Sequence, residues 1–499
     1  MTIQKPASSR VVMLMLDTLM DKPLQQTLEE EDVPALRFFM SHAHYYPNVV
    51  APFPTMSVNV ESTLLTGKYS DKHGIPALAW YEAANKRIIN YGTHIVELMK
   101  LGLSESLYNT LYRLNNEHLR KDVKTIHEEL QDRGFHTASI NPLVHRGNEP
   151  NQLEIPGLVR FFVTISKWIY TNTANKFVYG RLSQLSPFHK FSHIWNKYGF
   201  NNHFSIQEFA YLINSEILPD FSLIYLPDHD KNVHKRGPTD QKGIIEMDRQ
   251  IQSLLNIFPS WEEAIQKFHW ILIGDNGQSF VKHDRKEALV DLRLLLQPLK
   301  ITKLRKGVQQ EDQIVLANNL RSSFIYSLDS INAPLTVIVD KLQQDERIDM
   351  IAWKKDEYAH VTSGKSLRTF QFKQGGELTD EHGQKWTTSG DPSILDLGID
   401  HQKITFHDYP DALKRLYTTL HSHQGEFVVA SVGPGHEFIG ESTPSHPGGA
   451  SHGGFHKDDS LIPMFVTGTD LQPASLRMVD LKDWIIKLVD PNNDEISSP

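Results

Sequence analysis

The sequence predicts an α/β protein built on a central, mainly parallel sheet. Two observations carry that prediction. First, short, largely apolar runs end abruptly on acidic, glycine or histidine positions: Val11 to Leu16 before Asp17, Phe221 to Leu226 before the loop PDHD, His269 to Ile273 before Gly274 and Asp275, and Phe427 to Ser431 before a Gly/His-rich loop. Runs of that length without polar alternation fit strands buried on both faces, as in a parallel sheet covered by helices. Second, helical and strand patterns alternate. Lys124 to Asp132 reads as a helix, Gly134 stops it, and His136 to Ile140 reads as the next strand. Open sheets of this kind gather their sites beyond the carboxyl ends of the strands, so the polar residues that follow the runs are the candidates for function.

In chain order, the core is expected in three parts, residues 1–100, 208–315 and 408–490, interrupted by a basic, aromatic cap at 101–207 and a small α+β subdomain at 316–407, with a polar tail at 491–499. A length of 499 residues suits a large core with insertions or two to three domains. Within the cap, the stretch from Gly157 to Gln207 holds six Lys/Arg and no Asp or Glu. Leu158, Phe161, Phe162, Ile165, Trp168 and Ile169 there repeat at helical spacing. Two readings stay open: a cap with its own aromatic core and solvated basic side chains, or a lid that meets an anionic substrate or an anionic membrane surface. In the 316–407 segment, Leu335 to Val339 and Thr369 to Phe372 read as short β runs.

Composition excludes several functions. Hydrophobic residues at 39% and charged residues at 22% support a packed core. No apolar run approaches the roughly 18 residues of a membrane span. Met1 to Arg10 is polar and lacks the apolar stretch of a secretory leader, so a cytoplasmic location is expected. The absence of cysteine removes disulfides, thiolate metal sites and cysteine nucleophiles. A net charge of −9 argues against general nucleic-acid binding.

The residues after the strands form a set. Asp17 ends the first run, Asp230 and His234 lie four apart in DKNVH, Asp275 and Asn276 end the third run, and His452 and His456 lie in SHGGFH. Carboxylates and imidazoles held together suit a divalent cation. Pro54-Thr55-Met56-Ser57 leads into VNVESTLLTG, which predicts a helix over Ser57 to Thr66. Ser57 there is either its N-cap or a hydroxyl nucleophile facing an anion at the helix start.

The ordered motifs resemble the alkaline phosphatase superfamily and, within it, the type I phosphodiesterase/nucleotide pyrophosphatase branch. They are the strand ending in Asp17, PTMS-x8-TGKYSDKHGI, YLPDHDKNVHKRGP, GDNG and SHGG, over residues 10–80, 215–280 and 425–470. The resemblance implies an α/β/α sandwich with inserted cap subdomains, two divalent metal ions and a small phosphorylated substrate. One ion would be held by Asp17, Ser57, Asp275 and Asn276, the other by Asp230, His234 and His452. Ser57 would attack phosphorus and form a phospho-enzyme that water then releases. Zn2+ is the family's metal. Thr55 is an alternative nucleophile, His456 an alternative to His452, and Asp228 and His229 alternative ligands. His73 and His446 read as structural and loop histidines.

Three departures qualify the resemblance. Asn276 stands where the family has histidine, which makes Mn2+, Mg2+ or Ca2+ plausible at that site. The nucleophile is Ser rather than Thr. The position of the family's phosphoryl-contacting Asn is Ala79, with Asn59 as a possible substitute. The expected activity is hydrolysis of phosphodiester or nucleotide pyrophosphate bonds. Phosphomonoesterase, phosphonate hydrolase or phosphomutase chemistry on the same scaffold is the alternative, and a non-catalytic binding homologue a third. Sulfatase activity is not expected, because Ser57 is followed by Val58-Asn59-Val60-Glu61 rather than that family's x-Pro-Ser-Arg.

Overall fold

A computed structural model describes residues 10–492. The run Val11–Leu16 forms strand β1, all six residues buried, at the centre of a seven-stranded sheet. The other strands are β2 (His44–Val50), β3 (Thr137–Ile140), β4 (Lys176–Val178), β5 (Phe221–Leu226), β6 (His269–Gly274) and β7 (Leu461–Thr467). Their order is β2-β7-β6-β1-β5-β3-β4. The strands from β6 to β4 are parallel, whereas β7 is antiparallel to both β6 and β2.

Successive residues of β1 feed opposite layers, as the strand period requires. Val11, Met13 and Met15 pack with the helices Ser57–Thr66, Ile126–Asp132 and Leu481–Val489. Val12, Leu14 and Leu16 pack with Pro34–His42, Asn202–Asn214 and Lys242–Leu255. Removing such side chains from water stabilises by about 1.5–3 kcal/mol each. Two-sided burial is why β1 tolerates no polar residue until Asp17. Register then fixes the site, because Leu16 lies opposite both Leu226 of β5 and Gly274 of β6. Asp17, Pro227-Asp228 and Asp275 therefore leave the sheet side by side.

A second, nine-stranded sheet runs from Ile314–Asn319 through Ser322–Ser327, Glu426–Val432 and Ile348–Lys355 to the strands between residues 358 and 406. It corrects the reading of Phe427 to Ser431. That run sits here, antiparallel to both neighbours, and not in the parallel sheet. Its apolar continuity has the same cause, since Phe427 and Val429 face one cluster and Val428 and Ala430 the other.

Three further differences have local reasons. Leu335 to Val339 lies in a helix, Leu335–Leu342, entered from Pro334, and it buries Ile338, Val339 and Leu342 on one face. The spacing from Leu158 to Ile169 is not one helix. Gly157–Phe162 is helical, and Trp168–Thr173 is a strand paired with Arg146–Glu154. Residues 101–207 are not wholly an insertion, because β3, β4 and the helix Ile126–Asp132 join the main sheet layers. That helix starts at Thr125, whose side chain accepts from the Glu128 N–H while Glu128 reaches back to the Thr125 N–H.

Among the described residues no helix is long and apolar enough to cross a membrane. The readings placed on residues 1–9 and 493–499 lie outside the described residues.

A buried ion pair joins the two sheets. Arg321, in the turn before Ser322–Ser327, donates Nη1 to Asp459 Oδ1 at 2.5 Å, and both side chains are fully buried. Asp459 also accepts from Ser279 Oγ at 2.8 Å, and its backbone carbonyl accepts from Gly277 N at 3.0 Å. Arg321 N donates to the carbonyl of His452 at 3.1 Å. Arg321→Met strands Asp459 as an unpaired buried charge and is expected to cost about 3–5 kcal/mol in urea unfolding. A loss below about 1 kcal/mol would remove the pair from this role.

Candidate active site

The site grows from three strand ends. Thr18 follows Asp17 with φ at +58°, a conformation that a β-branched residue enters only when its surroundings demand it. The turn aims the Thr18 N–H at Asp275 Oδ1, 2.8 Å away. It also sets the Thr18 hydroxyl 3.2 Å from an oxygen of Asp17 and 3.2 Å from Asp230 Oδ1. Tyr225, at the end of β5, donates its hydroxyl to Asp17 Oδ2 at 2.5 Å. Gln278 donates Nε2 to Asp230 Oδ1 at 2.7 Å.

Ser57 opens helix α1 (Ser57–Thr66) as its first residue. Met56 takes the N-cap position, so Ser57 does not cap the helix. Its hydroxyl instead donates to Asp275 Oδ2 at 3.0 Å. The helix closes on Gly67 at φ +62°, the left-handed C-terminal position that glycine adopts without strain. The N-terminal end of a helix carries positive partial charge and unpaired N–H groups, which favour an anion beside Ser57.

Helix α2 (Asp228–Arg236) puts Asp230 and His234 on one face at a spacing of four. His234 Nε2 lies 3.2 Å from Asp230 Oδ1, and His452 Nε2, from the loop before β7, lies 3.7 Å from the same oxygen. His234 Nδ1 hydrogen-bonds the Ala450 carbonyl at 2.8 Å and His452 Nδ1 the Thr55 carbonyl at 2.8 Å. Each carbonyl demands a proton on Nδ1, so in the neutral imidazole the Nε2 lone pair faces inward and is open to a metal. The ligand atoms of Asp230, His234 and His452 lie within 4.8 Å of one another.

Charge is unbalanced here. Burial, then Asp275 and Asp230, push the Asp17 carboxyl well above the usual carboxylate range. Burial, with Asp230 beside it, pushes Asp275 up to about 6. Burial works against the Asp230 carboxylate, yet the two imidazoles hold it below its ordinary value. Burial also disfavours charge on His234, but Asp230 more than offsets this and lifts it to about 9, while burial pushes His452 down to about 4. No Lys or Arg is among the residues lining the cavity of about 360 Å3. The surplus negative charge therefore calls for protons or cations.

The donor set fits divalent ions. Two imidazole nitrogens with one carboxylate match a zinc-type site. Asp17, Asp275, Asn276 and Ser57 offer only oxygens, which harder ions accept. Asn276 is fully buried, and one terminal atom of its amide has no partner.

The expected residues fall into two groups. Asp17, Ser57, Asp230, His234 and His452 line the cavity, with Asp275 and Asn276 buried beside them. Asn59 is a correction: it is fully buried, donates Nδ2 to the Pro54 carbonyl at 2.8 Å, and does not line the cavity. Thr55 serves His452, and its hydroxyl accepts from Gly453 N at 2.9 Å. His456 caps the helix Lys457–Ser460. Asp228 accepts from Asn202 N and Lys197. His73 is buried against Thr63 Oγ1 at 3.1 Å.

Sequence reasoning missed Thr18, Tyr225 and Gln278. It also passed over the role of His446, whose ring stacks on His234 at 4.2 Å while its Nδ1 is held 2.7 Å from Glu437 Oε1. Thr18 carried a signal in its place directly after a strand-end Asp, and Tyr225 in opening the motif YLPDHDKNVHKRGP.

Comparison with known proteins gives the fold and the family. Among solved structures, murine ectonucleotide pyrophosphatase/phosphodiesterase 5 superposes with a TM-score of 0.56 at 13% identity, covering 96% of this chain and 95% of that one. The human counterpart gives 0.56 at 12%, over 96% and 94%. Phosphonoacetate hydrolase from Sinorhizobium meliloti, solved with phosphonoformate, gives 0.55 at 12%, over 97% and 96%. At such identities the likeness is one of fold, the alkaline phosphatase-like α/β architecture. No curated protein sequence matches. A family model described as type I phosphodiesterase/nucleotide pyrophosphatase matches residues 11–362. That match spans more than half of the chain, which therefore belongs to the type I phosphodiesterase/nucleotide pyrophosphatase family of phosphoric ester hydrolases.

Proposed function

We propose that the chain is a metal-dependent hydrolase that cleaves phosphodiester or nucleotide pyrophosphate bonds through a phospho-Ser57 intermediate. The observation that carries this reading is the Ser57 hydroxyl, fixed at 3.0 Å on Asp275 at the start of α1 beside the Asp230–His234–His452 cluster.

Asp17, Ser57, Asp275 and Asn276 would hold one divalent ion, and Asp230, His234 and His452 the other. Zn2+ suits the second set, and Zn2+, Mn2+, Mg2+ or Ca2+ the first. When bound, such ions supply Lewis-acid stabilisation of the phosphoryl oxygens and lower the pKa of a coordinated hydroxyl.

The chain's own residues do the rest. Asp275 orients the Ser57 oxygen, and the start of α1 favours the phosphoryl anion. Ser57 Oγ bonds to phosphorus as the bond to the leaving oxygen breaks, and the serine proton ends on the leaving group. Water then attacks the phosphoserine, and Ser57 recovers its proton.

Substrate class is the finer question. Ala79 has no side-chain amide to offer a phosphoryl oxygen, and its backbone N–H and carbonyl are both bound by the Asn319 side chain at 2.8 and 2.9 Å. This favours, as a second reading, a monoester or phosphonate substrate on the same machinery. The murine neighbour has been solved with AMP and the bacterial one with phosphonoformate, which supports a small phosphorylated substrate of either class.

Metal-stripped protein supplied with Zn2+ or Mn2+ is expected to hydrolyse a chromogenic phosphodiester faster than its matching monoester or phosphonate. Ser57→Ala should lower the rate at least about a thousandfold. Preference for the monoester or phosphonate would select the second reading, and an active Ser57→Ala enzyme would refute the nucleophile. In thermal unfolding, Zn2+ is expected to raise the midpoint of the metal-stripped protein by at least about 2 °C. His452→Ala should remove most of that rise, and an undiminished rise in the variant would place the zinc elsewhere.

A further inference from the structure

Part of the basic stretch forms a buried core, in which Phe177 and Tyr179 pack with Leu111, Leu153, Ile155 and Ile169, but other large apolar residues stay outside it. Leu158, Phe161 and Phe162 of the short helix Gly157–Phe162 are 50%, 82% and 71% exposed. Ile194 and Trp195 are 50% and 76% exposed. A groove of about 410 Å3 brings the two segments together, with Leu158, Arg160, Arg181, Ile194 and Trp195 in its walls. Phe161 and Phe162, with ring centres 5.2 Å apart, lie three and four residues after Leu158 on the same helix. Single exposed apolar residues are ordinary, whereas a cluster of them marks a surface that has a partner.

Charge identifies the kind of partner. From Gly157 to Gln207 there are six basic residues and no acidic one, in a chain whose net charge is −9. Lys167 pairs with Glu154 at 3.4 Å and Lys197 with Asp228 at 3.0 Å. Among the described residues Arg160, Lys176, Arg181 and Lys190 have no ion-pair partner. The acidic residue lining the groove is Glu154, the one already paired with Lys167. The face therefore presents bulky rings together with guanidinium groups that have no carboxylate partner, Arg160 resting its Nε on the Ile155 carbonyl at 3.2 Å. Rings of this kind rest at the headgroup level of a bilayer, and guanidinium groups form paired hydrogen bonds to phosphate.

We propose that the face formed by Leu158–Phe162 and Ile194–Trp195 docks the chain onto an anionic phospholipid surface. The rings enter the headgroup layer while Arg160 and Arg181 meet lipid phosphates. Docking has a direct link to the site: Lys197, in the same turn as Trp195, pairs with Asp228 at the start of α2, the helix that carries Asp230 and His234. The inference does not depend on the hydrolase reading and stands or falls separately.

The test is flotation of the full chain with phosphatidylcholine vesicles, with and without phosphatidylserine. It compares wild type, Phe161→Ser/Phe162→Ser/Trp195→Ser and Arg160→Glu/Arg181→Glu. All five positions are exposed, and circular dichroism checks that the variants fold. Wild type is expected to float with phosphatidylserine vesicles at low salt, to bind neutral vesicles at least about tenfold more weakly, and to be released by high salt. Each variant should bind the anionic vesicles at least about tenfold more weakly. No flotation with anionic vesicles, equal flotation with neutral ones, or binding indifferent to both variants would overturn the proposal. Self-association that the aromatic variant abolishes, without vesicle binding, would also overturn it and assign the face to a second copy of the chain.

Discussion

Three carboxylates are crowded beyond the ends of three adjacent parallel strands, and the rest of the site is arranged around the cost of keeping them there. Two unit charges about 4 Å apart repel by about 4 kcal/mol at an effective dielectric of 20. Burial of Asp17 and Asp275 adds desolvation, which is why both are pushed toward the protonated form. The register of β1 against β5 and β6 leaves no alternative placement, since Leu16, Leu226 and Gly274 end level. Hydrogen bonds from Thr18, Tyr225, Gln278 and Ser57 reduce the repulsion without supplying positive charge. A fold that maintains such a cluster gains most from a ligand of high positive charge, and Asp230, His234 and His452 bring three ligand atoms within 4.8 Å of one another to hold one.

Orientation of those imidazoles is the second constraint, and it couples the site to the whole molecule. His452 depends on the Thr55 carbonyl, two residues before Ser57, so the nucleophile segment and the last histidine are one unit. Behind the loop of His452 stands the Arg321–Asp459 pair, which also grips Gly277 and Ser279 after β6. The second sheet thus contributes rigidity to a site built on the first.

Much of this was legible before the structure. A strand buried on both faces cannot carry a carboxylate, so an apolar run ending in Asp17 or Asp275 announces its own terminus. The helix Ser57–Thr66 has the predicted bounds because Gly67 stops it. Asp230 and His234 were readable as a pair from the motif YLPDHDKNVHKRGP, but the helix Asp228–Arg236 that sets them on one face was not, because PDHD read as a loop. The roles of Thr18, Tyr225 and Gln278 were not readable, since each acts through hydrogen bonds to carboxylates that only the fold brings beside it. Phe427 to Ser431 misled for a related reason: an apolar run reports burial on two faces but not which sheet provides it. Leu158 to Ile169 misled because helical spacing persisted by coincidence past Phe162, where the helix ends and the chain goes on to pair as a strand from Trp168.

The most direct test of the account is the metal content of the purified chain after equilibration with Zn2+ and Mn2+ and removal of loosely held ions, measured by elemental mass spectrometry. The account predicts about two tightly held divalent ions per chain, falling to about one when His234 is replaced by alanine. A chain that retains no divalent ion, its crowded carboxylates balanced by protons alone, would contradict it.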